Sequence, residues 1–155
     1  MIKRYLYFII ITAFSVFFMS SMSLSGIARM NFQGQREFKN ILNFFTENKY
    51  PFTIIENQKV ERGNGSFIRL KVKGFMTACG KVDVVLFFFG EKLATIYLKK
   101  IPMDKDMNVC SKKELNRYKS GNADTQMSVD SKGRDIMYSD PAIINKMNEW
   151  IEKWS

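Results

Sequence analysis

Histidine is missing altogether from the 155 residues. That removes the usual general base, the commonest metal ligand and the side chain that changes charge near neutral pH. Ser-His-Asp and Cys-His catalysis are excluded outright. Cysteine is nearly as scarce: the chain has two, Cys79 and Cys110, too few by themselves for a structural zinc site. No cysteine follows the apolar run near the N-terminus, which excludes a bacterial lipoprotein. Internal repeats and low-complexity segments are absent. Acidic residues are short as well, 15 against 24 basic ones, for a formal charge of +9.

What is there starts with a leader. Lys3 and Arg4 precede an apolar run from Tyr5 to Met19 that carries Phe8, Ile9, Ile10, Ile11, Phe14, Phe17 and Phe18. A small-residue stretch follows, Ser20 to Ala28. A short cationic head on a run that is apolar all round is the pattern of export, with the cations left on the cytoplasmic side. A core helix would instead show one apolar stripe. Counted on to Leu24, the run approaches the roughly 20 residues of a membrane span. Ser21/Ser23, Ser23/Ser25 and Gly26/Ala28 offer cleavage positions, none of them Ala-x-Ala, so the reading leans to a retained anchor over a cleaved signal. Both place the rest of the chain outside the cytosol, either in the periplasm behind an inner-membrane anchor or as a soluble periplasmic or secreted protein. The organisation read from the sequence is therefore a signal anchor or signal peptide over residues 1–25, a linker over 26–34 and one exported domain over 35–155.

In an exported chain an even pair of cysteines reads as a disulfide, Cys79–Cys110, with two buried free thiols as the alternative. Closing a loop of that length stabilises a fold by about 3–4 kcal/mol in the chain-entropy model. The surplus of lysine and arginine favours anionic partners, among them phospholipid head groups, acidic polymers and acidic proteins. Export excludes nucleic acid from that set. The competing reading of the same charge is solubility.

The fold class read from periodicity is α+β. Phe38, Ile41, Leu42 and Phe45 recur at i, i+3, i+4 and i+7, one face of a helix that ends at the Asn48–Pro51 stretch. A period of two follows. Phe52 to Glu56 opens a strand that extends as far as Arg62 at most, with a turn at Gly63–Gly65. Ile68, Leu70 and Val72 alternate with Arg69, Lys71 and Lys73. Val82 to Phe89 is nearly all apolar, the pattern of a central strand with both faces covered, or one face on the core and the other on a partner. Leu93 to Ile101 returns, and Pro102 stops it. Residues 102–125 read as a polar loop with one helical turn around Lys112–Tyr118. Two short strands flank Ser131–Arg134. Asp140 caps a final helix whose first position is Pro141 and whose stripe is Ile143, Met147, Trp150, Ile151 and Trp154. The expected architecture is an antiparallel sheet of about six strands, open or curled into a barrel, packed by an N-terminal and a C-terminal helix after the membrane segment.

Few motifs carry chemistry. Asp104-x-Asp106-x-Asn108 starts like a calcium loop, but Val109 and Leu115 stand where Gly and Glu belong. Ser111-Lys112 and Ser131-Lys132 are adjacent pairs with no oxyanion motif beside them. Asn64-Gly65-Ser66 is a glycosylation sequon that reads first as a tight turn. No enzyme activity, metal or cofactor is expected. The candidate partner-binding residues are Arg69, Lys71 and Lys73, extended by Lys99 into a basic strip, together with Phe87, Phe88 and Phe89. Their plain alternatives are lysines that guard a sheet against aggregation and an ordinary core strand.

Lys3/Arg4 with the following apolar anchor, a single sheet-rich exported domain and the Cys79/Cys110 pair together resemble the small periplasmic co-regulators that accompany inner-membrane transcription activators, of the ToxS and MyfF/PsaF kind. The resemblance covers the chain in outline. It implies a non-enzymatic, virulence-type regulator that binds and stabilises or modulates the exported part of another membrane protein. The same outline fits a soluble periplasmic inhibitor or immunity protein. Aromatics lining a curled sheet fit a binder of a small hydrophobic ligand.

Overall fold

A computed structural model of the chain describes residues 36–119 and 124–154. The leader residues Lys3, Arg4, Phe8, Ile9, Ile10, Ile11, Phe14, Phe17 and Phe18, and the 26–34 linker, lie outside the described residues. Helix α1 (Phe38–Glu47) leads into strands β1 (Phe52–Val60), β2 (Gly65–Thr77), β3 (Gly80–Phe89) and β4 (Lys92–Lys99). Helix α2 (Met107–Lys119), strands β5 (Gln126–Asp130) and β6 (Asp135–Ser139), and helix α3 (Pro141–Trp154) complete the domain. The six strands form one sheet in the order β1-β2-β3-β4-β6-β5, and every pairing is antiparallel.

The sheet is open, with β1 and β5 at its edges. The barrel alternative is thereby corrected. A sheet closes on itself to bury its own inner face, and here α1 and α2 cover that face instead. The inner face carries Leu70, Val72, Val84, Leu86, Phe88 and Leu98, all fully buried. From α1, Ile41 and Phe45 insert into it. The Phe38 ring meets Phe88 edge-on at 5.2 Å, and Phe45 meets Phe75 at 6.0 Å. Asn48 ends α1 as the spacing predicts: its side chain donates to the Phe44 carbonyl at 2.8 Å, and Lys49 turns the chain with φ 55°.

Turn chemistry sets the register. Gly90 and Glu91 both take positive φ between Phe89 and its partner Lys92, the backbone of a two-residue hairpin turn whose twist matches the strands. At the other end, Thr77 pairs with Gly80 around Ala78-Cys79. The Thr77 hydroxyl donates to the Gly80 carbonyl at 2.9 Å and accepts from the Cys79 N–H at 3.1 Å. Cys79 is thereby fixed at the hairpin tip, where it forms the disulfide with Cys110 across a Cα–Cα distance of 4.9 Å. As the sequence predicts, the bridge ties the 102–125 segment to the sheet.

That segment departs from its expected form. It holds a thirteen-residue helix rather than a single turn. Its buried positions Met107, Cys110, Ser111 and Glu114 fall at i, i+3, i+4 and i+7. The spacing is helical, but two of the four residues are polar, so an apolar periodicity cannot reveal it. Asp106, in what the sequence reads as a polar loop, is the helix cap: its carboxylate accepts from the N–H groups of Asn108 (2.8 Å) and Val109 (3.2 Å).

Candidate protein-docking groove

The opposite, outer face of the sheet is only partly roofed. Helix α3 begins where the sequence places it, with the Asp140 carboxylate accepting from the Ile143 N–H at 3.1 Å. It crosses one end of this face. Trp150 packs on Phe67 at 5.5 Å and Phe89 at 6.0 Å, and its indole N–H donates to the Gly63 carbonyl at 2.9 Å. Gly65 is required there, because a Cβ would collide with the Trp150 ring. Beyond α3 the face opens into a groove of about 660 Å³.

Strict alternation builds the floor. On β3, Val85 and Phe87 face outward between the buried Val84, Leu86 and Phe88. On β4, Thr95, Tyr97 and Lys99 do the same around Ile96 and Leu98. Register brings Arg69 beside Phe87, and Phe87 beside Thr95. Ile144 and Met147 of α3 form one wall. Ile55, the extra residue of a bulge between Ile54 and Glu56, forms part of the other. Thr95 is 4% exposed, and its hydroxyl makes no side-chain hydrogen bond with the described residues. A buried hydroxyl in a groove is a specific polar point for an incoming donor or acceptor.

Three cations on this face are paired across strands. Arg69 meets Glu56 at 3.0 Å, Lys71 meets Asp83 at 3.6 Å and Lys99 meets Asp135 at 2.8 Å. Arg69 also lies over the Phe87 ring at 5.5 Å, and Lys99 over Tyr97 at 5.1 Å. The expected basic strip is thus largely neutral within itself, an aromatic floor bordered by ion pairs. Partial burial pulls the Asp135 carboxyl upward. The hydrogen bond from Lys99, the Lys100 N–H and both ammonium charges outweigh it and hold the group below the ordinary range. A depressed carboxylate contributes stability above its unfolded pKa and loses it as pH falls through that value toward the folded one. Asp135→Asn should therefore flatten the acid-side loss of stability, read as urea midpoints between about pH 5 and about pH 2.

Of the sequence candidates, Arg69, Phe87 and Lys99 line the groove, and Lys71 lies beside it on the same face. Lys73 is exposed within the β2 bulge and does not line the groove. Phe89 is half-buried under Trp150. Phe88 is a correction. It is 0% exposed and belongs to the inner core, because successive residues of a strand point to opposite faces. Tyr97, Thr95, Ile55 and Ile144 were not singled out, and Met147 was read only as part of the apolar stripe of the last helix. The alternation Thr95-Ile96-Tyr97-Leu98-Lys99 carried the signal for the first two. The bulge and the placement of α3 carry no local signal.

Among the described residues, no group of three His, Cys, Asp or Glu side chains is placed to hold a metal ion, and no helix is long and apolar enough to cross a membrane. No protein-family model matches the chain. It is similar to the "Uncharacterized protein YdcD" of Escherichia coli (strain K12), with 32% identity over 126 residues, which cover 80% of this chain and 79% of that one. Likeness of that extent is shared ancestry, and the chain belongs to the family of YdcD.

Proposed function

We propose that this chain is a non-enzymatic accessory protein, held in the inner membrane by its first 25 residues, whose domain binds and modulates the exported part of another membrane protein. The observation that carries the reading is the uneven covering of the sheet. The inner face is closed by two helices, while the outer face leaves Phe87, Tyr97 and Val85 along an open groove with one buried hydroxyl at its floor. Aromatic floors bordered by paired charges are the composition of protein interfaces, with an apolar centre and a polar rim. The leader and the disulfide support the oxidising compartment in which such a partner would be met.

Cell fractionation with intact-mass measurement tests the anchor. The full-length mass in the membrane fraction is the expected result. A shortened chain confined to the soluble fraction would favour an inhibitor or immunity protein instead, and an intact chain in the cytosol with both thiols reduced would end both readings.

A further inference from the structure

Helix α2 is attached to the domain in an unusual way. Of its described side chains, those that are buried are Met107, Cys110, Ser111 and Glu114, and two of these four are polar. Its attachments include the Cys79–Cys110 bond, the Glu114 carboxylate accepting from the Ala78 N–H, and the Tyr138 hydroxyl donating to the Ser111 carbonyl at 3.1 Å. Glu114 is 2% exposed, and a carboxylate regains its hydration when such a site opens. The apolar contribution that holds α1 in place comes from Ile41, Phe45 and the Phe38–Phe88 contact, whereas among the described side chains of α2 it comes from Met107 and from Cys110, itself in the bridge.

The segment also has a hinge. Arg134 donates to the carbonyls of Ile101, Pro102 and Lys105, each at 2.7 Å, and the Ile101 N–H donates to the Arg134 carbonyl at 2.9 Å. This clamp ends just before the Asp106 cap. Chain up to Lys105 is fixed to the β5–β6 turn, and chain after it is joined to the sheet by the disulfide, Glu114 and the Ser111 carbonyl.

We infer that α2 is a redox-released strap: reduction of Cys79–Cys110 frees Met107–Lys119 from the sheet and uncovers Tyr138 and the hairpin tip, while the sheet under α1 stays folded. The step is ordinary thiol–disulfide exchange. One thiolate of a dithiol attacks a bridge sulfur, its second thiolate resolves the mixed disulfide, and Cys79 and Cys110 take up the two electrons and two protons as thiols. Cys79 and Cys110 are 0% and 5% exposed, so the reductant reaches the bond only when α2 opens. The rate of reduction therefore reports strap opening.

The test is amide exchange by mass spectrometry on the whole chain, oxidised and after dithiothreitol, with Cys110→Ser as a reductant-free check. The inference expects exchange across residues 107–116 and at Ala78 to accelerate at least about tenfold, with β2, β3, β4 and Ile101 unchanged. Both tryptophans of the chain, Trp150 and Trp154, lie on α3, and Trp150 packs on the outer face. Their emission should not move on reduction. A rise in exchange over all strands together with a shift in emission would overturn the inference, since the bond would then staple the whole fold. Unchanged exchange in α2 would overturn it equally, since the helix would then be held without the bond.

Discussion

Phe88→Ala should destabilise the domain by about 3–5 kcal/mol, while Phe87→Ala, one residue away, should cost about 1 kcal/mol. The reason is the face each ring occupies. Phe88 is fully buried beneath α1, with the Phe38 ring edge-on to it and the buried Ile68 and Leu93 as its partners across the strands, so its removal leaves a cavity that neighbouring strands cannot close. Phe87 stands on the outer face with solvent on one side and Arg69 above it, so its loss gives up area but opens no sealed void. Urea denaturation at an unchanged slope separates the two. Equal losses would mean that the groove floor is part of the core.

The second large effect concerns binding. Interface energy concentrates in a few aromatic anchors, whose truncation costs about 2 kcal/mol or more, close to a thirtyfold loss of affinity. Phe87→Ala and Tyr97→Ala should each weaken partner binding by that factor while leaving circular dichroism unchanged. Thr95→Val keeps the shape of the side chain and removes its hydroxyl. It should weaken binding several-fold if the partner places a donor or acceptor there. Lys132→Ala, in the exposed turn between β5 and β6, should have no effect. Losses no larger than that of Lys132→Ala, measured by titration of the purified partner domain, would remove the groove from the interface.

Much of this fold is written locally. The apolar spacing of α1, the alternation in β2 and the Asp140-Pro141 start of α3 are each read within a dozen residues, and each is found where the spacing places it. The disulfide was legible for a different reason, as what an expected export and an even cysteine count together imply. α2 was not, because its buried face uses Ser111 and Glu114: the Ser111 hydroxyl donates to the Asn108 carbonyl one turn back, and Glu114 accepts from the Ala78 N–H, a partner distant in sequence. The openness of the sheet was likewise undecidable, since closure depends on whether β1 meets β5, a relation between chain ends. The groove was half legible. Arg69 and Phe87 follow from period two, but the pairing of Arg69 with Glu56 and Lys99 with Asp135 needs the register, and the bulge at Ile55 shifts that register by one.

The proposed docking is most directly examined by photo-crosslinking from the groove in intact cells. A benzophenone side chain is placed at position 97, on the floor, and separately at position 132, in the turn between β5 and β6. A crosslink from position 97, absent from position 132, to a single inner-membrane protein through its exported domain is the predicted result, and it should disappear when Phe87→Ala is added. Crosslinking that is equal from both positions, or that is absent from position 97 while the chain remains in the membrane fraction, would contradict it.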